Sequence, residues 1–176
     1  PCPQAHRETV LKNLSVVEGM DLNALLTGTH WDFETFAEYL DALDRIRPYA
    51  NVGVLAGHST IRSAVMGEEA SSRKTPTPEE LGKMQDMVRS ALKAGAAGFA
   101  SSFSPNHSGW GGRPMPSTIC GDDELRALVE PLKEAGRGVF VVAAGSKATP
   151  EYLEKMAADT GRPMFMVTVL TMYTDQ

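Results

Sequence analysis

NVGVLAGHSTIR, residues 51–62, reads as a short buried strand that runs into a polar cluster. Val52, Val54 and Leu55 supply the apolar run, and His58, Ser59, Thr60 and Arg62 follow with groups that donate or accept protons. In parallel α/β architectures, ligands sit just beyond the carboxyl ends of the strands, where loops carry the chemistry and the sheet supplies rigidity. This junction is therefore the first candidate for a site.

Working outward, the flanking segments read as helices. Upstream, Asp32 is an N-cap candidate for a helix whose stripe is Phe33, Phe36, Tyr39, Leu40, Leu43 and Ile46, ending before Pro48. Residues 4–18 carry Val10, Leu11, Leu14 and Val17 at helical spacing, Gly19 is a stop, and residues 20–30 read as turn-rich. Downstream, residues 67–75 read as a surface connection. Thr77, Pro78 and Glu80 then form a capping box with proline at the first helical position, which predicts a helix over 78–94 closed by Gly95.

The remaining chain repeats the pattern. Residues 96–101 read as a small-residue strand, and residues 102–120, rich in proline and glycine, as a long loop of the kind that binds or covers ligands. Asp122, Asp123 and Glu124 place negative charge on the N-terminus of a helix with Leu125, Leu128, Val129 and Leu132 inward. Residues 139–144 form an apolar strand, Thr149 and Pro150 open another helix, Gly161 closes it, and residues 163–170 form the last strand.

Four strands separated by helices make a parallel sheet with right-handed crossovers. An open doubly wound sheet fits, and so does part of an eight-fold barrel. A complete barrel takes about 250 residues, so this 176-residue chain amounts to about half of a TIM (β/α)8-type barrel preceded by N-terminal helices, read as a single partial-barrel domain over residues 1–176. Half a barrel leaves two open strand edges, which predicts a homodimer or higher assembly.

Composition narrows the function. With 42% apolar and 22% charged residues the chain suits a packed domain, and no apolar stretch approaches a membrane span. A net charge of −5 with scattered basic residues excludes a phosphate-backbone stripe, so neither nucleic acid nor membrane is an expected partner. Cys2 and Cys120 lack metal-ribbon or disulfide spacing, so a reduced, cytoplasmic protein is expected. The chain opens Pro1-Cys2-Pro3 and stops soon after an apolar strand, which reads as a piece of a longer reading frame.

Several stretches, in order, resemble one family. WDFETFAEYLDAL (31–43), NVGVLAGHSTIRSAVMG (51–67), TPEEL (77–81), ALKAGAAGFASSFSPNH (91–107), GRPMPS (112–117) and AGRGVF (135–140) are similar to the middle of the N-acyl-D-amino-acid deacylase (D-aminoacylase-like) branch of the amidohydrolase superfamily. The resemblance implies a metal-dependent hydrolase on a TIM barrel, with zinc in the full-length proteins, cleaving the amide of an N-acyl-D-amino acid or a related C–N bond. It also implies motifs that this sequence does not contain. The HxH pair of the first barrel strand and the Gly-Asn-Cys-Gly stretch with its metal-bridging cysteine do not occur, and Cys2 matches the cysteine after that stretch. Where other members carry a metal-binding histidine, the strand after Gly-Arg-Gly reads Val141-Val142-Ala143-Ala144-Gly145, and the late catalytic Asp would lie beyond Gln176. No metal is expected in this chain and no catalytic residue is assigned; the chain alone is expected to be inactive.

The candidate substrate-binding residues are His58, Ser59, Arg62, Ser101, His107 and Arg113. His58 lines a site or is a histidine bonded to its surroundings; Arg62 grips a carboxylate or pairs with Glu68 or Glu69 to hold the loop. His107 and Arg113 belong to a lid over substrate or to a solvated loop. Lys147 reads as a surface residue, His6 and His30 lie outside strand ends, and Met84, Met87, Met164 and Met166 read as core filling. Two other functions remain: a self-associating partial barrel without catalysis, and a small α/β hydrolytic enzyme centred on His58, against which stands the absence of a GxSxG, GxGxxG or P-loop motif.

Overall fold

The computed structural model describes residues 1–104, 107–143, 145 and 147–167. Three helices, α1 (Arg7–Val17), α2 (Leu22–Gly28) and α3 (Phe36–Ile46), precede β1 (Leu55–Gly57). Then come α4 (His58–Met66), α5 (Pro78–Ala94), β2 (Gly98–Ser102), α6 (Asp122–Glu134), β3 (Val139–Ala143), α7 (Pro150–Thr160) and β4 (Met164–Met166). The four strands lie in the order β1-β2-β3-β4, every neighbouring pair parallel. This is the arrangement of part of a (β/α)8 barrel.

Register divides the sheet into two faces. Ala56, Phe99, Phe140 and Met164 stand in one row and Ser101, Val142 and Met166 in another, all on the same face. The core forms there: Phe99 and Phe140 stack 5.8 Å apart, packed with Met84, Val88 and Leu92 of α5 and Leu125, Leu128 and Leu132 of α6. The opposite face carries Leu55, Ala100, Val139, Val141 and Phe165, none of them fully buried. Gly98 explains how closely β2 and β3 approach, since a Cβ there would lie 1.9 Å from the Val139 carbonyl oxygen.

The helices follow their local chemistry. Thr77 and Glu80 form the expected reciprocal capping box on α5. Glu80 also accepts two bonds from Arg73, which with the Thr77 amide holds its carboxyl down at about 2. Three expectations need correction. The turn-rich segment at 20–30 contains α2, because the Asp21 side chain accepts from the Ala24 amide and nucleates a turn. The third helix starts later, with Thr35 rather than Asp32 as its cap and Glu38 completing a capping box. Residues 58–66 are helix rather than loop, and the strand before them is only three residues long. Of the last expected strand, residues 168–170 lie outside the described residues.

Candidate functional site

Strand ends bring three distant segments together. α4 begins on the residue after β1, so its first side chain, His58, turns inward at the carboxyl end of the sheet. Ser101 arrives from β2, and Glu124 from the first turn of α6. The result is a buried polar cluster: His58 is 1% exposed, Arg62 0% and Glu124 3%.

The hydrogen bonds fix the protonation of this cluster. Nε2 of His58 lies 2.8 Å from Oε1 of Glu124, and Nδ1 lies 2.8 Å from Oγ of Ser101. A carboxylate only accepts, so Nε2–H donates to Glu124, and Nδ1 accepts from the Ser101 hydroxyl. Burial lowers the His58 pKa, Arg62 lowers it further, and the opposing pull of Glu124 does not compensate. His58 is neutral. Burial alone would raise the Glu124 pKa, but the hydrogen bonds from His58 and Arg62 and the charge of the Arg62 guanidinium outweigh it, and the net shift is downward. Glu124 is ionised.

Arg62 supplies the counter-charge. Its guanidinium donates to the second Glu124 oxygen and to the carbonyls of Ala70 (3.3 Å), Arg73 (2.5 Å) and Lys74 (3.4 Å). It therefore holds the 67–75 connection, as one expectation had it, but through carbonyls; its acidic partner is Glu124, whereas Glu68 stands near Arg113 and Glu69 pairs with Arg73. Nothing in the sequence pointed to Glu124 beyond its place at a helix N-terminus, where acidic residues ordinarily face solvent.

One ligand atom each from His58, Cys120 and Glu124 lie within 4.8 Å of one another. The residues do not fit a divalent ion. Both imidazole nitrogens are engaged, the Arg62 guanidinium already neutralises Glu124, and burial, with Glu124 adding to it, pushes the Cys120 thiol up to about 12. A metal would sit beside a buried guanidinium at low dielectric, where like charges repel strongly.

The other candidates lie nearer the surface. Ser59 Oγ donates to Ser117 Oγ at 2.9 Å, and Ser117 donates onward to the Ser102 carbonyl, tying α4 to the 3-10 turn Pro116–Ile119. His107 Nδ1 lies 2.6 Å from Ser102 Oγ, within hydrogen-bond distance. Arg113 is exposed and reaches only a loose 3.8 Å contact with Glu68. Lys147, half-buried, donates to the Cys120 carbonyl and lies over the Phe103 ring. His58, Arg62 and Ser101 thus meet in one network that solvent does not reach, while Ser59, His107 and Arg113 belong to connections around it. A cleft of about 740 Å³ shares none of the cluster's residues and runs along β1 instead.

No family model matches the chain. It is 38% identical over 120 residues to D-aminoacylase of Alcaligenes xylosoxydans xylosoxydans, covering 68% of this chain and 22% of that protein. It is 39% identical over 69 residues to N-acyl-D-glutamate deacylase of the same organism, covering 39% and 14%. An uncharacterised protein of Mycobacterium tuberculosis is 34% identical over 122 residues, covering 66% and 20%. Among solved structures, D-aminoacylase studied for its binuclear metal centre superposes with a TM-score of 0.63 at 27% identity, over 76% of this chain and 27% of that one. A mutant D-aminoacylase in complex with copper chloride gives 0.62 at 27% identity, over 75% and 26%. The chain spans about a fifth of the length of the curated relatives it matches.

Proposed function

We propose, for a chain that is a D-aminoacylase-like amidohydrolase region spanning part of the barrel, that it supplies the scaffold and substrate-side loops of a metal-dependent hydrolase acting on N-acyl-D-amino acids. The observation that carries this reading is the rim. All four strands point the same way, so the connections after β1 and β2 lie at their carboxyl ends, where barrel enzymes hold substrate. Arg113 is the substrate-carboxylate partner, since an exposed guanidinium with one loose contact is available for a bidentate grip. His107 and Ser59 line the same rim as hydrogen-bonding groups. His58, Arg62 and Ser101 act as positioning residues: they fix α4 and the 67–75 connection, and do not touch substrate.

A bound metal would lower the pKa of a water and polarise the acyl carbonyl; the cluster of His58, Cys120 and Glu124 does not provide for it, so the chain alone is catalytically silent. A separate hydrolytic site centred on His58 is not favoured, because both its ring nitrogens are occupied and it is closed to solvent. A reducing, cytoplasmic setting suits the two buried free cysteines, and among the described residues no helix is long and apolar enough to cross a membrane.

Titration of the ¹⁵N-labelled chain with an N-acetyl-D-amino acid and its L enantiomer tests this reading. The expected result is saturable shifts confined to Ser59 and residues 102–120, weaker for the L form and reduced in Arg113→Ala, with no acetate released in added zinc. Absence of shifts at millimolar ligand, or zinc-dependent turnover by the chain alone, would overturn it.

A further inference from the structure

Within the 102–120 connection, one segment is built more tightly than a surface loop requires. Ser108 and Pro114 face each other in an antiparallel bridge, and inside it the Gly109 amide donates to the Arg113 carbonyl at 2.6 Å and the Gly112 amide to the Gly109 carbonyl at 3.2 Å. Gly111 and Gly112 turn the chain at φ +68° and +75°, where a side chain would be strained. From below, α1 pins the tip: Asn13, 8% exposed, accepts from the Trp110 amide at 3.0 Å through Oδ1. The same oxygen lies 2.7 Å from where a Cβ on Gly109 would stand, so that position also excludes a side chain. A buried carboxamide and these glycines fix a hairpin whose two large side chains both reach solvent, Trp110 at 46% exposure and Arg113 at 67%.

We infer that Trp110 is the contact for the substrate's side chain, so that this rim takes N-acyl-D-amino acids with aromatic or large aliphatic side chains and not those with acidic ones. This rests on the reading of Arg113 as the carboxylate partner and names the class of ligand that partner receives. An indole held with nearly half its surface in water forgoes hydrophobic burial until a ligand covers it. Its rigid ring, with only two rotatable bonds, gives a large contact area at low entropic cost.

The spacing fits an amino acid. The Arg113 amide donates to the Trp110 carbonyl at 3.5 Å, closing a four-residue turn whose ends lie within about 7 Å of each other. An α-amino acid carries its carboxylate and its side chain on one carbon, so a ligand gripped at Arg113 has its side chain within reach of the indole. An acidic side chain would need a second cation. Arg113 is the only arginine or lysine in residues 102–120, and the ion-pair contact it makes is with the Glu68 carboxylate, 3.8 Å away. A second carboxylate on the ligand would meet Glu68, which repels it, and an apolar ring, which does not solvate it.

The indole ¹⁵N signals of the labelled chain test the inference. The chain has two tryptophans, and the signal lost in Trp110→Phe belongs to Trp110. N-acetyl-D-phenylalanine is expected to shift that signal and to bind about fivefold tighter than N-acetyl-D-alanine, the gain of one aromatic pair, with N-acetyl-D-glutamate no tighter than the alanine ligand. Trp110→Ala is expected to erase the preference while leaving the affinity for N-acetyl-D-alanine within about twofold, as for an ordinary surface change; Trp110→Phe is expected to keep most of the preference. Circular dichroism melts check that each variant is folded. Equal affinities for the phenylalanine and alanine ligands, a preference that survives in Trp110→Ala, or tighter binding of the glutamate ligand overturns the inference and leaves the role of Arg113 standing. No binding of any of the three at millimolar concentration overturns both. If Trp110→Ala unfolds, Trp110→Phe and the order of the three ligands on the wild-type chain still decide.

Discussion

Glu124 serves two partners at once, so removing its charge leaves Arg62 buried and uncompensated. Breaking a buried pair from one side costs about 3–5 kcal/mol, whereas replacing both partners by apolar groups is often close to neutral. Glu124→Ala is therefore expected to lower the unfolding free energy measured in urea by that amount, and Arg62→Met combined with Glu124→Leu to recover much of the loss. A Glu124→Ala unfolding free energy within about 0.5 kcal/mol of wild type, the range of ordinary surface changes, would show that the network contributes little. The same residues set an acid limit. His58 has a folded pKa below its ordinary 6.5, so the unfolded chain takes up the proton first, and stability falls as pH drops below 6.5. Glu124 acts in the same direction lower down: its depressed carboxyl contributes above its ordinary 4.5 and is lost as pH falls through the folded value. Urea midpoints measured from pH 8 to pH 4 are expected to fall on the acid side, and the part of the fall that begins near 6.5 to disappear in His58→Gln; a flat wild-type profile would refute the assignment. His58, Arg62 and Ser101 stood out in the sequence as polar groups at strand ends. Their common partner did not, because Glu124 lies 66 residues from His58 and sits among acidic residues that a helix N-terminus explains without it.

Sequence caps made α5 legible, but the Asp21 cap of α2 and the Thr35–Glu38 capping box of α3 were passed over, and α4, set by tertiary contact, was not legible at all. α5 begins at Pro78 as read, because Thr77 and Glu80 satisfy each other's backbone within three residues. Thr77→Ala is expected to cost about 1 kcal/mol in thermal unfolding, and Glu80 keeps its bonds to Arg73 in that variant. By contrast, α4 has no side-chain cap and follows β1 without a linker, so its serines and threonine looked like a loop. Its helical state is set by Ile61 and Met66 in the core and by the inward turn of His58 and Arg62. The strands were found in the right order but read too long at β1, since Val52 is exposed and only residues 55–57 meet β2. Between β2 and β3 the limiting contact is Gly98. Gly98→Ala would drive a methyl into the Val139 backbone, and the expected outcome is loss of the cooperative thermal transition. A folded Gly98→Ala chain with an unchanged melt would contradict the strand register.

At the scale of the molecule, one wall of helices, one parallel sheet and one buried ion network make a self-consistent platform, on whose rim the proposed substrate-side connections lie. The family resemblance and the parallel half-barrel agreed because both rest on repeated local patterns, such as the capping box at 77–80 and the apolar strand at 139–143, that survive in any segment of the fold. What the sequence could not show was whether its titratable residues formed a metal site, since that depends on which charges meet across the barrel. In this structure the cation beside Glu124 is Arg62. The measurement that tests this most directly is the zinc content of tag-free protein, by inductively coupled plasma mass spectrometry, after incubation with excess zinc and desalting. The account predicts far less than one zinc per chain, unchanged in Cys120→Ser. One zinc per chain, lost in Cys120→Ser and in Glu124→Gln, would contradict it and make the buried cluster a metal centre.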